Sequence, residues 1–411
     1  MTERRTAWLV TVLLGVGVLL IVLLTTPWTP LAGVPQSSPD TDFTAAEIAR
    51  QNAYRAAVVP WSTLAWVLSI AVPVVIGFTP LGRRIAVWLR VRRWYLLVPL
   101  VVIVVTLIGT LLTLPAGIIV ERADRRYGLS TQNWAGWARD QAVGWVLGTL
   151  ALIAVALLLI GFARRWRRWW WVPAGALAAL LVLAVSFAYP VLVEQRFNSF
   201  TPMQNGALRN ELLQMAAQDH VPVKDVLVAD ASKRTTSLNA YVSGFGSTRR
   251  IVVYDTLLKA GPKQVRLVVA HELGHAKNND VLRGTLVGAL TAFFAVCLLR
   301  LLVGSRLADP RNTALLLALI AVGTTVAAPT QMLISRRIET RADVHSLDLT
   351  HDPLGVAHMQ HDLAVTNISA LDPAPWRFAM FATHPTPPQR IEVAREWGRQ
   401  HGIDVPPLVH K

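Results

Sequence analysis

Seven stretches of this chain are long and apolar enough to cross a bilayer, near 7–26, 60–78, 95–114, 142–163, 170–192, 282–303 and 313–333. A spanning helix needs about 20 apolar residues, because it rises ~1.5 Å per residue through a hydrocarbon layer ~30 Å thick. Lipid offers no hydrogen bonds, so each stretch must satisfy its own backbone, which a helix does. The fold class follows: mostly α, a seven-span transmembrane helical protein. The first stretch reads as an uncleaved anchor, since its core is long for a signal peptide and no small-residue cleavage site is obvious.

Composition agrees. Apolar residues make up 53% of the 411 and charged residues 16%, against about 25% charged in a soluble domain. The formal charge of +15 does not form one patch. Arg4-Arg5, Arg83-Arg84, Arg92-Arg93, Arg164-Arg165 and Arg167-Arg168 sit at the ends of apolar runs, where basic residues orient a membrane protein. Trp94, Trp145 and Trp169–Trp171 lie near span ends, as aromatic belts do. The expected partner is a lipid bilayer and not nucleic acid. Cys297, the single cysteine, sits in an apolar run and reads as a buried or lipid-facing small side chain.

Four polar stretches remain. Residues 27–59 read as a loop with a short helix from Ala45, and 115–141 as a second loop carrying Glu121, Asp124, Arg125 and Arg126. Residues 193–281 have soluble-domain character, with an amphipathic helix at 208–217 and strands at 225–229 and 250–254. Residues 334–411 read as mostly helical, with a proline-rich turn at 385–388.

The most specific signal is His271-Glu272-Leu273-Gly274-His275. On a helix, residues four apart share a face, so both imidazoles can reach one metal ion. Glu272 falls beside that ion, where it can take a proton from a water molecule as general base. A catalytic zinc needs a third protein ligand and one open position. Glu339 is the candidate, and Asp343, one helical turn on, can hydrogen-bond a ligand imidazole. The alternative for both acids is a solvated face paired with Arg336, Arg337 or Arg341. Topology favours the metal. His275 lies just before the sixth span and Glu339 just after the seventh, and the short loop 304–312 makes those spans an antiparallel hairpin. The hairpin returns Glu339 to the face that His275 left, which puts one site, with one zinc per chain, at the membrane surface.

Other candidates are weaker. His384 can donate to the oxyanion of a tetrahedral intermediate or be a turn histidine. Arg390 can position His384 or pair with a carboxylate. Asn239, Ala240 and Tyr241 precede a strand and form either a substrate-binding edge or an ordinary hairpin. His345 points to another face than Glu339. His351, His358 and His361 read as surface or capping residues.

These residues resemble a known family. Phe197-Asn-Ser-Phe-Thr-Pro202, Gly206-Ala-Leu-Arg209, Asn239-Ala-Tyr241 with Gly244, and Ala270-His-Glu-Leu-Gly-His275 occur in order. Ser335-Arg-Arg337 with Glu339 and Asp343, then His384-Pro385 with Arg390-Ile391, complete the series. The set resembles the type I CAAX prenyl endopeptidases, which are seven-span zinc metallopeptidases, and more distantly the bacterial heat-shock membrane protease HtpX. The resemblance implies that His271, His275 and Glu339 bind zinc and that Glu272 is the base. It implies that Asp343 orients a ligand, that His384 stabilises the transition state, and that Asn239 and Tyr241 lie on the substrate-binding strand. It also implies a water-filled chamber among the spans. Thr386 departs from the family, which usually has a second proline there.

The chain then divides into five spans over 1–192, the first part of a small α+β zinc metallopeptidase domain over 193–281, spans six and seven over 282–333, and the rest of that domain over 334–411. The expected activity is that of a membrane zinc metalloendopeptidase acting on membrane-associated or lipid-modified protein substrates. An HtpX-like quality-control protease, and an inactive seven-span receptor or transporter, are the alternatives. The location is a cell membrane, multi-pass. Short loops on the N-terminal side carry 13 Arg or Lys and those on the other side 6. The positive-inside rule therefore points the zinc domain outward, whereas the family resemblance implies a cytosolic zinc domain.

Overall fold

The computed structural model describes residues 3–35, 37–192 and 199–409. Among these, seven helices are long and apolar enough to cross a membrane. Five lie in the first half: α1 (Glu3–Thr25), α2 (Ala45–Phe78), α4 (Trp94–Arg126), α5 (Trp134–Arg165) and α6 (Trp171–Leu192), with a short α3 (Leu81–Trp88) between α2 and α4. After α7 (Ala207–Gln218), α8 (Asp255–Leu258) and α9 (Pro262–Lys277), the last two spans are α10 (Asp280–Val303) and α11 (Thr313–Thr350). Helices α12 (Pro353–Thr366), α13 (Pro375–Phe381) and α14 (Pro387–Gln400) follow.

The spans carry little buried surface of their own. Leu13, Leu20 and Leu24 on α1 are exposed, as befits side chains whose solvent is lipid. Inside the bundle, Val101, Ile160, Trp171 and Leu316 belong to one apolar core. A second core, outside the bundle, joins Leu212, Ile251, Val253, Leu273 and Trp397.

Two predicted loops are in fact helix. Helix α2 starts at Ala45, with Thr44 and Glu47 forming a capping box, and runs unbroken through its span. Helix α4 continues to Arg126 and α5 begins at Trp134, so the loop expected over 115–141 shrinks to 127–133. Hydrophobic thickness limits the apolar part of a helix but not its length, and these polar extensions find partners above the membrane. Arg50 and Gln51 donate to the carbonyls of Val365 and Ala364, and Tyr54 donates to Asp124 at 2.7 Å. The strand-like pairing of Ser130 with Thr235 ties the α4–α5 turn to the polar domain.

Ion pairs at the other end confirm the hairpin order. Glu3 at the start of α1 meets Arg300 near the end of α10 at 2.6 Å, and Arg83 meets Asp309 at 3.3 Å. The polar domain therefore sits at one membrane face only, opposite the N-terminus.

That domain holds a four-stranded sheet in the order β1 (Phe200–Pro202), β2 (Asp225–Ala229), β4 (Arg250–Tyr254), β3 (Ala240–Ser243). β2 and β4 are parallel, while β1 and β3 flank them antiparallel. Strands β2 and β4 fall where the apolar runs predict them. β3 is an edge strand, and it packs beside α9.

Candidate metal centre

Helix α9 starts at a proline, which has no N–H to leave unpaired there. Val265, Val269 and Leu273 anchor it, all fully buried. One turn separates His271 from His275, and their Nε2 atoms approach to 3.2 Å. Helix α11 crosses at short range over Gly274, where an added Cβ would lie 3.0 Å from Cβ of His345. That closeness brings Glu339 onto the two rings, with Oε2 3.2 Å from Nε2 of His271 and Oε1 3.6 Å from Nε2 of His275. One ligand atom from each of the three residues lies within 4.8 Å of the others.

The donor set fits a divalent cation. Bonds of 2.0–2.1 Å in tetrahedral geometry put two ligand nitrogens about 3.3 Å apart, close to the observed 3.2 Å. Glu339 Oε2 is buried and accepts no aligned hydrogen bond, although Nε2 of His271 and of His384 stand 3.2 and 3.1 Å away. Three imidazoles thus crowd one carboxylate, as groups that share an ion do. The alternative of a solvated face does not hold for Glu339, whose side chain is 12% exposed.

Each histidine is oriented from behind. Nδ1 of His271 lies 2.9 Å from Asp343 Oδ1. Arg390 Nε donates to the other oxygen of Asp343 at 2.8 Å, and Gln360 adds a donor at 3.3 Å. Nδ1 of His275 lies 3.0 Å from Asp280, which also takes Arg341. A carboxylate on Nδ1 keeps the proton there and leaves the Nε2 lone pair for a metal.

Electrostatics follows the same pattern. Burial pushes the Glu272 carboxyl above its usual range, against the pull of His271 and His275. Burial alone would lower His275, but Asp280, Glu339 and Glu272 reverse it and raise the imidazole to about 10. His271 is likewise raised, with burial overcome by Asp343 and Glu339. Burial opposes the charge on Arg390, and Asp343 more than restores it.

His384 stands at the mouth of the site, with its side chain 51% exposed and Thr383 Oγ1 2.8 Å from its Nδ1. Arg336 fixes this segment by donating to the carbonyls of Phe378 and Ala382. Thr386 caps α14 in a capping box with Gln389. Arg390 does not touch His384. It reaches Asp343 and comes within 3.4 Å of His271, because α14 directs it into the core under α9 and α11.

Asn239 accepts from the backbone N–H of Tyr254. Antiparallel alternation then turns the N–H and C=O of Ala240 and Val242 away from β4. The Ala240 side chain is buried in the sheet core. Two clefts meet at Glu272 beside this edge. One, of about 690 Å³, includes Asn239, His271 and His384, and the other, of about 350 Å³, includes Tyr241, Phe245 and His275.

Sequence reasoning missed Asp280, Arg341 and Gln360. Asp280 lies five residues after His275, and on one continuous helix it would turn elsewhere. The chain breaks at Asn279, with φ of 52°, and a new helix brings Asp280 back. His345 pairs with Asp219 at 2.8 Å. His351 ends α11 in the left-handed region, and His361 stacks on Phe43. Among the described residues, His271, His275 and Glu339 are the one group with metal-ligand spacing. Phe197 and Asn198 lie outside the described residues.

Known proteins give the same picture. Residues 202–398 match the model of peptidase family M48. Residues 31–199 match the model described as CAAX prenyl protease N-terminal, five membrane helices. The chain is 30% identical over 308 residues to a Bacillus subtilis protein titled uncharacterized metalloprotease YhfN, covering 72% of each. It is 30% identical over 236 residues to a CAAX prenyl protease 1 homolog of Oryza sativa, covering 53% of each. The crystal structure of S. mikatae Ste24p superposes with a TM-score of 0.72 at 19% identity, over 94% of this chain and 98% of that one. The chain therefore belongs to peptidase family M48, with the type I CAAX prenyl endopeptidases, and is a multi-pass membrane metallopeptidase.

Proposed function

We propose that the protein is a zinc endopeptidase that cuts membrane-associated, lipid-modified protein substrates at the bilayer surface. The observation that carries this is the convergence of His271, His275 and Glu339 on one point, with Glu272 half-buried beside it and facing both clefts. These three residues would hold the zinc. When bound, the metal would polarise the scissile carbonyl and favour ionisation of a water molecule.

The remaining steps belong to the chain. Glu272 takes a proton from the attacking water and passes it to the leaving amine, a role suited by a carboxyl raised through burial. His384, exposed at the cleft mouth where substrate would lie, donates to the oxyanion. Asp343, held by Arg390, keeps His271 in the metal-binding tautomer. The outward backbone groups at Ala240 and Val242 pair with the substrate, aligned by the Asn239 and Tyr241 neighbours on β3.

Lipid modification is supported by the smaller cleft. It joins His275 to Phe245, Val281 and Leu282, where α10 enters the membrane, and Phe245 packs on Phe187 of α6 at 4.3 Å. The plant relatives titled CAAX prenyl protease 1 homolog support the same substrate class.

The test uses the purified full-length protein in detergent with prenylated and unprenylated forms of one peptide. Cleavage should require the metal, favour the prenylated form, and fall by about 10²–10⁴-fold in Glu272→Gln with metal content preserved. Full activity of that variant would overturn the mechanism. Equal rates on the two peptides would overturn the lipid preference.

A further inference from the structure

The membrane face opposite the metal site is rich in arginine. Its four short segments, 1–6, 79–94, 164–168 and 304–312, carry 13 Arg or Lys and two acids, Glu3 and Asp309. Both acids are already taken, Glu3 by Arg300 at 2.6 Å and Asp309 by Arg83 and Arg311. The other basic residues of this face have no carboxylate within 4.0 Å among the described residues.

Contacts between turns far apart in the chain gather these charges into one surface. Arg83 of α3 reaches Asp309 in the α10–α11 turn, and Arg164 at the end of α5 donates to the carbonyl of Ala308 at 3.2 Å. Arg164 also lies 5.5 Å from the ring centre of Trp94, the first residue of α4. Arg93, just before that tryptophan, donates to Tyr95 Oη at 2.6 Å. Two guanidinium groups from two helices thus share Trp94 as a neighbour. Aromatic rings fix their directions without neutralising them.

The same surface is apolar. Helix α3 rests Gly82 and Ala86 on the bundle and turns Val87 and Trp88 outward, 62% and 73% exposed. Tyr95 and Leu96 are exposed beside Arg93, and Trp166 beside Arg165. Aliphatic and indole side chains open to solvent where the spans end belong to the headgroup level of a bilayer. Val87 and Leu96 offer nothing to a soluble polyanion or a nucleic acid. A phosphate diester carried by lipid satisfies both halves of the surface. Guanidinium groups pair with phosphate oxygens through parallel N–H donors, and unpaired cations at a bilayer surface are stabilised by anionic lipid.

We propose that Arg93 and Arg164, on either side of Trp94, bind the phosphate of an anionic phospholipid whose acyl chains run along the lipid-facing side of α4 past Leu96. The site stands apart from the metal centre, at the other end of the spans.

The test uses the purified full chain in neutral detergent, with phosphatidylglycerol or phosphatidylcholine added and bound lipid counted by native mass spectrometry. Phosphatidylglycerol should bind at least about tenfold more tightly, and the preference should shrink as salt is raised. Arg93→Gln and Arg164→Gln should each weaken it about fivefold, the worth of one arginine beside an anionic lipid, with phosphatidylcholine binding unchanged. Arg164→Lys, a milder change to the contact between α4 and α5, should recover part of the loss. Arg122→Gln, exposed near the opposite face, should leave the preference intact. Equal binding of the two lipids would overturn the proposal. So would a preference that the Arg93 and Arg164 variants leave unchanged, or that Arg122→Gln lowers as much. Displacement of phosphatidylglycerol by an equal concentration of inorganic phosphate would show a phosphate site without lipid, and would overturn it too.

Discussion

Nδ1 of His275 lies 3.0 Å from the carboxylate of Asp280 across a helix break, so the second histidine of the motif is oriented by the first turn of the following span. The break at Asn278–Asn279 couples the site to the membrane, since α10 carries Asp280 as it enters the bilayer.

Asp280→Asn should therefore weaken metal binding by about 10–100-fold, the usual effect of removing the partner behind a ligand histidine. The pH dependence carries a definite sign. Asp280, Glu339 and Glu272, opposed by burial, raise the metal-free imidazole of His275 to about 10, so near neutrality it holds a proton that a metal must displace. Metal affinity should fall as pH falls, and titration calorimetry in buffers of different ionisation enthalpy should report net proton release. In Asp280→Asn that release should shrink.

Gly274 lets α9 and α11 approach, because an added Cβ would meet His345 at 3.0 Å. Gly274→Ala should push α11 outward and carry Glu339 with it. An overpacked core site costs about 1–3 kcal/mol. The expected result is a lowered thermal midpoint and a larger loss of metal affinity than the stability change alone predicts, measured on the same preparation.

The edge strand gives a test of substrate pairing. The Val242 N–H faces away from β4, so a proline there removes no ladder bond and is tolerated at an edge. Val242→Pro should keep the fold and metal content while kcat/KM falls about fivefold to tenfold, the worth of one hydrogen bond of ~1 kcal/mol. An unchanged kcat/KM would remove β3 from the binding surface.

Charge count and family resemblance point to opposite faces for the metal site, and the short loops give the test its expected sign. The N-terminal side carries 13 Arg or Lys and the opposite side 6, which by the positive-inside rule leaves the metal site on the outer face. A C-terminal alkaline phosphatase fusion should then be active and a green fluorescent protein fusion dark. The reverse pair of results would place the site in the cytosol.

Much of this protein is legible in its sequence because two of its constraints are local. Lipid forces each apolar stretch of about 20 residues into a helix, so the number and order of spans follow from hydropathy. The four-residue spacing of His271 and His275 fixes one helical face. Counting the hairpin of α10 and α11 then returns Glu339 to the same membrane surface, where the structure brings it within 3.2 Å of His271.

What the sequence left open depends on contacts between segments far apart in the chain. Hydropathy marks where helices leave lipid but not where they stop, so the extensions of α2 and α4 emerge only when Arg50, Gln51 and Tyr54 find partners. Arg390 was free to serve His384 or a carboxylate until α14 packed and directed it to Asp343. Asp280 is hidden by the assumption of one continuous helix, which the left-handed turn at Asn279 breaks. The candidate metal ligands follow from helical period and membrane thickness. The groups behind those residues were decided only in the tertiary structure, where a left-handed turn returns Asp280 to His275 and packing of α14 carries Arg390 to Asp343, 47 residues away.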